Sequence, residues 1–247
     1  LSGMLMSLPL IKEDSVLIVR NLKSIPYVQM TLNTLKAFGI EVEHDNFERF
    51  SIKGNQAYAC EEYTVEGDWS SASYWLVASA LGHSISISGL NLESAQADKA
   101  LLKMLMDANC IVNLEQNAIS IDGSNRIPFI VDATHSPDLF PALVTLAAFC
   151  DGISTISGVH RLKNKESDRG IVLQQEFAKL GLKIELNGDE MLIHGGCKLT
   201  AANVDSHNDH RIAMCLAIAA SKIDGEMTIS GAEAVSKSYP GFWDDFG

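Results

Sequence analysis

Apolar and polar positions along the chain repeat with a long period. One pattern runs from a helix-spaced apolar stretch through a short alternating strand and a turn to a second strand. It closes on Gly54, Gly123 and Gly195, at intervals of 69 and 72 residues. Apolar spacing of three and four residues predicts a helix, whereas alternation beside a turn such as Asn187-Gly188 predicts paired strands.

A second pattern is interleaved with the first. It consists of a strand that ends in acidic residues, an apolar helix and a strand ending in Ile-Ser-Gly. Its copies close on Gly89, Gly158 and Gly231, which are 69 and 73 residues apart. Together the two patterns predict one βαβαββ unit of about 70 residues. Such a unit cannot bury its own faces, so the copies must pack around a shared core in an α/β fold.

The repeat also predicts the domain organisation. Full copies start near Tyr63 and Ile127, and a third starts near Ala202 and is cut short. We therefore expect a boundary in the polar stretch 55–64. Residues 1–62 are interpreted as the last repeat of an otherwise missing partner domain, and residues 63–247 as a domain of three repeats with an incomplete last one. Since Leu1 falls inside an apolar, helix-like stretch, we expect the chain to be a fragment.

Composition excludes several classes of function. The chain has 19 Lys and Arg against 31 Asp and Glu, a net charge of −12. Nucleic-acid binding requires clustered basic residues, so it is not expected. The first apolar stretch is broken by Pro9, is too short to cross a membrane and lacks the basic start of a signal peptide. Five scattered cysteines without a C-x-x-C motif suit a reducing cytoplasm, where we place the protein.

Two common kinds of site are not predicted. The chain contains neither glycine-rich fingerprint for nucleotide phosphates. His207 and His210, with His135 at the matching place in the previous copy, suggest a metal site. However, an H-x-x-H pair alone is weak evidence, and no third ligand has a recognisable spacing. Capping or hydrogen-bonding histidines are the simpler interpretation, and we expect no metal.

The strand-to-helix junctions differ between the repeats. Ser70, Asp138 and Asn208 are each at a position where a side chain can cap a helix. Arg211 follows in the first turn of a predicted helix, where a cation opposes the helix dipole. This placement indicates an anionic ligand. The alternative is an ion pair with an acidic residue of a neighbouring repeat.

The densest charged patch spans residues 161–169, between a predicted strand and helix. It contains Arg161, Lys163, Lys165, Glu166, Asp168 and Arg169. One interpretation is a solvated loop with compensating charges. The other is that Lys165, Arg169, Arg211 and Lys237 form an anion cradle, because Arg binds phosphate and carboxylate bidentately and Lys acts as a point charge. Asp138 and Glu166 beside it would then supply a base and an acid.

The same residues carry a resemblance to a known family. The motifs K-E-S-D-R at 165–169, N-D-H-R at 208–211 and S-K-S-Y-P at 236–240 resemble those of 5-enolpyruvylshikimate-3-phosphate (EPSP) synthases. Residues 66–74 and 24–27 are also similar to that family's pattern. The resemblance implies a fold of two domains, each with three βαβαββ units around a pseudo-threefold axis and the helices inside, an inside-out α/β barrel.

The resemblance also implies a reaction. Family members transfer the enolpyruvyl group of phosphoenolpyruvate to the 5-hydroxyl of shikimate 3-phosphate and release phosphate, in aromatic amino acid biosynthesis, without metal or organic cofactor. By motif, Asp138 and Glu166 would be catalytic. The residues expected to bind shikimate 3-phosphate are Ser24, Tyr27, Asp138, Arg161 and Lys165. Those expected to bind phosphoenolpyruvate are Arg169, Arg211 and Lys237.

Two other functions stay open on the sequence. A sister enzyme that acts on UDP-N-acetylglucosamine shares the fold, and only the K-E-S-D-R and N-D-H-R motifs argue against it. A non-catalytic repeat scaffold is the second alternative, although a scaffold has no need of Arg211 in a first turn. We expect the intact enzyme to be monomeric. The isolated chain is expected to be inactive and to self-associate through uncovered apolar surface.

Overall fold

A computed structural model describes residues 1–115 and 117–247. These residues form two compact units. Unit 1 comprises Leu1–Glu66 with Asn91–Ala97, and unit 2 comprises Gly67–Leu90 with Asp98–Gly247. The expected assignment of these segments to a partner domain and a three-repeat domain remains a prediction.

Unit 1 has two helices and three strands: α1 Ser2–Ser7, β1 Ser15–Ile18, α2 Ile25–Ala37, β2 Val42–Asp45 and β3 Arg49–Ile52. The strands pair antiparallel in the order β1-β3-β2. Helix α2 turns Val28, Leu32 and Leu35 toward the core, where they pack with Phe50 of β3. This spacing of four and three residues is the apolar face that the sequence predicts for the helix.

Unit 2 holds the remaining helices and strands. Its helices are α3 Trp69–Ala80, α4 Leu101–Asp107, α5 Phe140–Ala148, α6 Arg169–Lys179, α7 His210–Ala220 and α8 Phe242–Phe246. Its strands are β4 Ile87–Ser88, β5 Ile111–Glu115, β6 Ala118–Asp122, β7 Ile130–Asp132, β8 Gly152–Ser157, β9 Lys183–Asn187, β10 Glu190–Gly195, β11 Asn203–Asp205 and β12 Thr228–Ser230. No helix in the described ranges is long and apolar enough to cross a membrane.

The element order confirms the repeat and the α/β class. The copy from β7 to β10 is a complete βαβαββ unit, made of β7, α5, β8, α6, β9 and β10. The preceding copy runs from α3 to β6, and the following one contains β11, α7 and β12. One expected element differs. The strand expected near Tyr63 is not formed, since residues 63–66 are in neither strand nor helix.

The strands form four separate sheets. Their orders are β1-β3-β2, β4-β6-β5, β7-β8-β10-β9 and β11-β12. β7 pairs with β8 in parallel, as does β11 with β12, and the other pairs are antiparallel. Within the part of the chain that the structure describes, none of these sheets closes on itself. The described strands therefore form no closed barrel, whereas the α/β class is as expected.

Three equivalent helices, one from each repeat of unit 2, form the shared core. α3, α5 and α7 contact one another in all three pairings. Every residue of α5 is buried, which explains why that helix is apolar all round. Thr145 of α5 donates a hydrogen bond to the carbonyl oxygen of Cys215 in α7, 3.2 Å away. This packing is the burial that the repeat predicts, with the helices inside.

The two series of repeat glycines have different physical causes. At Gly123 a Cβ would lie 2.2 Å from the carbonyl oxygen of Ala80, and at Gly195 it would lie 1.9 Å from that of Ala147. These carbonyls belong to the ends of α3 and α5, so only glycine lets the strand pass so close. Gly158, which ends an Ile-Ser-Gly strand, instead has a φ of +108°, a conformation that favours glycine.

Candidate active site

Three loops of unit 2 carry the charged residues that the sequence singles out. The first follows β7 and holds the short 3₁₀ turn Pro137–Leu139 with Asp138. The second follows β8 and leads into α6. The third joins β11 to α7. Each loop lies between a strand end and a helix start, as the junction pattern predicts, and their side chains meet in one cluster.

Asp138 lies at the centre of this cluster. Its Oδ1 is 2.6 Å from Nη1 of Arg169 and 3.1 Å from Nζ of Lys165. Its Oδ2 is 3.4 Å from Nη2 of Arg211. The carboxylate is 20% exposed, so one side of it remains open to a ligand. Four residues from three loops, all predicted from the sequence, are thus brought together.

Arg169 is fully buried and is surrounded by carboxylates. Besides Asp138, its Nε donates to Asp209 Oδ2 over 2.8 Å, and its Nη2 donates to Glu166. A buried guanidinium requires such pairing, because desolvating an unpaired charge is costly. The sequence predicts Arg169 as a ligand for an anionic substrate. In the structure its donors are occupied by protein acids, a geometry that suits a residue holding others in place.

Aspartates cap the helices that begin at the cluster. Asp209 accepts a hydrogen bond from the backbone N–H of Arg211 at 2.9 Å, and Asp68 accepts one from that of Ser70, also at 2.9 Å. The caps of α7 and α3 are therefore these aspartates rather than Asn208 and Ser70. Asp168 caps α6, where it accepts from the backbone N–H of Ile171.

Arg211 belongs to the cluster and is almost buried, with 12% of its side chain exposed. Its Nη1 donates to Ser70 Oγ at the start of α3. The guanidinium also lies beside the buried phenol of Tyr74. Asp138 comes from the preceding repeat, so the alternative ion pair is present. The same pair nevertheless points Arg211 toward the open side of Asp138.

The remaining predicted cations lie around this centre. Lys237 donates from Nζ to the backbone carbonyl of Asn208, 2.6 Å away. That contact ties the turn Ala232–Lys237 to the loop before α7. Arg161 donates from Nη1 to the carbonyl oxygen of Thr134 over 2.9 Å. This contact joins the loop after β8 to the loop after β7, so Arg161 has a structural contact in addition to its predicted ligand role.

Ser24 and Tyr27 belong to unit 1. Ser24 precedes α2 with a left-handed φ of 57°, and the backbone N–H of Tyr27 donates to its carbonyl oxygen at 3.1 Å. Both residues therefore belong to the N-terminal turn of α2. Their contribution to a site with the unit 2 residues remains a prediction.

The charges of the cluster set its protonation states. Burial opposes ionisation of Asp138, but Arg211, Lys165 and Arg169 outweigh it and lower its pKa to about 2. Burial likewise opposes ionisation of Asp209, whose pKa is nevertheless lowered by hydrogen bonds and charge from Arg169. Burial and then Arg211 lower the pKa of His210. At neutral pH the centre thus contains ionised acids and an uncharged His210.

His207 and His210, the pair considered for a metal, have different surroundings. His207 Nε2 lies 2.8 Å from Glu176 Oε1 on α6. His210 is buried, and its Nδ1 has no hydrogen-bond partner among residues 1–115 and 117–247. Over the same ranges, no three His, Cys, Asp or Glu side chains are arranged to hold a metal ion.

Several contributors escape the sequence analysis. Asp209 is the main partner of Arg169, and Ser167 donates to it at 3.0 Å. Asp209 stands inside the N-D-H-R motif, beside the recognised Arg211. The missing signal was that Arg169 is buried and therefore needs counter-charges. Tyr74 lies in the recognised stretch 66–74 but was given no role there, and Glu176 lies in no motif, because their roles depend on contacts between distant segments.

Three cations and three carboxylates thus meet at the starts of helices in a repeated α/β domain, and Lys237 bonds to the loop before α7, within a chain of net charge −12. Fold and site together define the class of α/β repeat proteins with a cluster of cations and carboxylates at the helix starts. The family model of EPSP synthase (3-phosphoshikimate 1-carboxyvinyltransferase) matches residues 1–246. The chain belongs to this family.

Curated relatives are similar over the whole chain. The 3-phosphoshikimate 1-carboxyvinyltransferase of Clostridium acetobutylicum is 42% identical over 246 residues, which are 99% of this chain and 57% of that protein. The protein of the same name from Clostridium kluyveri is 39% identical, and the match covers 99% of this chain and 58% of its own length. The chain therefore spans a little over half the length of these relatives.

Solved structures agree on the fold. An EPSP synthase from Acinetobacter baumannii superposes with a TM-score of 0.81 at 24% identity, covering 98% of this chain and 58% of that one. Another structure of EPSP synthase from the same organism gives a TM-score of 0.77 at 21% identity. At these identities the likeness establishes the enolpyruvyl transferase fold alone.

Proposed function

We propose that the protein transfers the enolpyruvyl group of phosphoenolpyruvate to the 5-hydroxyl of shikimate 3-phosphate and releases phosphate, as the names of its relatives state for those enzymes. The observation that carries the proposal is the environment of Asp138. An ionised carboxylate lies within 3.4 Å of three cations and remains partly open. This is a suitable arrangement for a base that works between two anionic substrates.

The cations divide between the two substrates. Arg211 and Lys237 bind the phosphate and carboxylate of phosphoenolpyruvate, since Arg211 lies in the first turn of α7 and Lys237 bonds to the loop just before it. Lys165 binds shikimate 3-phosphate beside Asp138, together with Ser24, Tyr27 and Arg161 from the sequence motifs. Arg169 was expected on the phosphoenolpyruvate side. Its three carboxylate contacts favour holding Asp138, Glu166 and Asp209 in place.

The reaction then proceeds in two steps. Asp138 takes the proton of the 5-hydroxyl while that oxygen bonds to C2 of phosphoenolpyruvate, and Glu166 protonates the C3 methylene. A tetrahedral ketal results. In the second step the C2–O bond to phosphate breaks, the leaving phosphate takes the proton held by Asp138, C3 returns its proton to Glu166, and the vinyl ether product forms. Arg211 and Lys237 stabilise the phosphate as it leaves, an effect commonly worth a few kcal/mol for each group.

The setting of the enzyme follows from the same proposal. Both substrates are small anions of chorismate biosynthesis, and we place the protein in the cytoplasm as a monomer. Residues 1–62 are proposed to close a partner domain, and residues 63–247 to form the second domain. On this proposal the chain alone provides part of the active site and is inactive.

Phosphate release by the full-length protein tests the function. The assay supplies phosphoenolpyruvate with either shikimate 3-phosphate or UDP-N-acetylglucosamine. We expect release with shikimate 3-phosphate alone. Release only with the sugar nucleotide would assign the protein to the sister reaction and remove the roles given to Lys165 and Ser24. If a folded protein releases no phosphate with either acceptor, the result would favour a non-catalytic repeat scaffold.

A further inference from the structure

The loop between β11 and α7 is an unusual piece of backbone. His207 and Asn208 are consecutive non-glycine residues with left-handed φ values of 51° and 56°. Each costs free energy that surrounding contacts must offset. The loop delivers Asp209, the cap that pairs with Arg169, and then Arg211.

Glu176 on α6 contacts this loop at two residues, Asp205 and His207. The carboxylate is 2% exposed, and its Oε2 accepts a hydrogen bond from the backbone N–H of Asp205 at 2.8 Å. Its Oε1 lies 2.8 Å from Nε2 of His207. Lys179, one turn further along α6, donates to both oxygens at 2.9 and 2.7 Å and balances the charge.

The downstream contacts connect this support to the candidate site. The carbonyl oxygen of Asn208, next to His207, accepts from Lys237. Asp209 follows immediately and accepts from Arg169 and Ser167. A rotation of the two left-handed residues would therefore displace Arg211, Lys237 and the α7 cap Asp209. Glu176 contacts none of these three side chains directly.

We propose that Glu176 is a positioning residue for the anion site: it fixes the left-handed turn at His207 and Asn208 and so places Arg211 and Lys237. The inference rests on the proposed function for its choice of ligand, phosphoenolpyruvate. Lys165 lies in the loop before α6 and pairs with Asp138 rather than with the turn at His207 and Asn208. The two substrates should therefore respond differently when Glu176 is changed.

Steady-state kinetics of the full-length protein provide the first test. Glu176→Gln keeps the shape of the side chain but weakens its hold on His207. We expect the KM for phosphoenolpyruvate to rise about tenfold and the KM for shikimate 3-phosphate to change less than twofold. Glu185→Gln is the matched control, since Glu185 also pairs with a lysine and a histidine, Lys183 and His194. It should leave both constants unchanged.

A second substitution separates positioning from general stability. The short side chain of asparagine can hydrogen-bond locally in the left-handed conformation, which asparagine therefore adopts more readily than most residues. In a His207→Asn background the turn depends less on Glu176, so Glu176→Gln should raise the KM for phosphoenolpyruvate less than threefold further. An equal tenfold rise in both backgrounds would show that Glu176 does not act through this turn, and would overturn the proposal.

Hydrogen exchange distinguishes failure of this inference from failure of the proposed function. It needs no substrate and is measured on the chain itself. We expect exchange of the backbone amides of residues 206–211 to accelerate at least tenfold in Glu176→Gln and not in Glu185→Gln. Unchanged exchange would overturn the positioning role. Faster exchange in a protein that releases no phosphate would support it and reject the reaction.

Discussion

At the residue scale, the chemistry of this protein concentrates on Asp138. Three cations from two other loops surround one carboxylate, and they lower its pKa to about 2 although burial opposes its ionisation. In the resting protein Asp138 is therefore a weak base. Anionic substrates that take up Lys165 and Arg211 would relieve this effect, so the basicity of Asp138 is expected to rise when the site fills.

Asp138→Asn tests the proposed base. The amide retains most of the shape but cannot accept a proton, so we expect kcat to fall by about 100-fold or more, within the usual range for general base catalysis. Phosphate release by the full-length protein is the measurement. Asp107→Asn, which alters an exposed pair with Lys103, is the control and should keep full activity. Activity within threefold of wild type would remove Asp138 from the mechanism.

The same carboxylate predicts a pH dependence of stability. Because its pKa is about 2 in the folded protein and 3.8 ordinarily, its contribution is fully present above pH ~4 and is lost as the pH falls toward 2. The shift corresponds to about 2 kcal/mol in total. Denaturant unfolding should show wild type losing about 1 kcal/mol more than Asp138→Asn between pH 5 and pH 3. Equal losses would contradict the low pKa.

Arg211→Lys tests the second residue of the centre. The guanidinium reaches Ser70 and Asp138 at once, whereas an ammonium is a single point charge. We expect the affinity for phosphoenolpyruvate to fall about tenfold, or about 1.4 kcal/mol, measured by calorimetry on the full-length protein. Arg126→Lys is the matched control, because Arg126 is partly buried and donates to the backbone carbonyls of Phe149 and Gly123. It should not alter that affinity.

Residue identity was thus predictable only in part. The motifs singled out Asp138, Lys165, Arg169 and Arg211, and the structure brings those four together. The partners of Arg169 were not predictable. Burial of an arginine follows from packing between segments 31 and 40 residues apart, and no local pattern records it.

At the scale of elements, acidic caps fix where the helices around the site begin. Asp68, Asp168 and Asp209 cap α3, α6 and α7. The sequence pattern predicted Ser70 and Asn208 as possible caps of α3 and α7. The caps observed lie two residues earlier, at Asp68, and one residue later, at Asp209. Several capping residue types stand side by side at each junction, and the local pattern alone does not decide which of them adopts the capping conformation.

Asp68→Ala measures the value of such a cap. Asp68 accepts from Ser70 N and also from Ser71 Oγ, so its loss leaves donors at the start of α3 unsatisfied. We expect the free energy of unfolding to fall by about 1 kcal/mol. Tryptophan fluorescence is a suitable probe, since Trp69, Trp75 and Trp243 all lie in unit 2. Asp107→Ala removes only an exposed ion pair with Lys103. It should lower the free energy of unfolding by well under half as much.

At the scale of the whole molecule, unit 2 is organised by its repeat. Each copy provides one apolar helix to the shared core of α3, α5 and α7, and the closing strands run close to the ends of those helices. The recurring glycines are therefore a consequence of packing between elements. Their spacing was visible in the sequence, but the reason for them at Gly123 and Gly195 was not.

Gly195→Ala tests that packing. The new Cβ would lie 1.9 Å from the carbonyl oxygen of Ala147, so β10 or the end of α5 must move. We expect the free energy of unfolding to fall by about 2–3 kcal/mol. Unfolding is monitored by tryptophan fluorescence. Gly170→Ala is the control. Its Cβ meets only ordinary contacts beyond 3.6 Å at the start of α6, and it should be neutral or stabilising.

The sequence by itself determined the repeat, the α/β class, the order of helices and strands, and the motifs that carry charge. These features rest on local spacing, which the chain records directly. Only the tertiary structure decided that Arg169 is buried among three acids, that Glu176 holds the turn before α7, and that the strands form separate sheets. Each of these depends on which distant segments pack together, and therefore on the desolvation and counter-charges that packing creates.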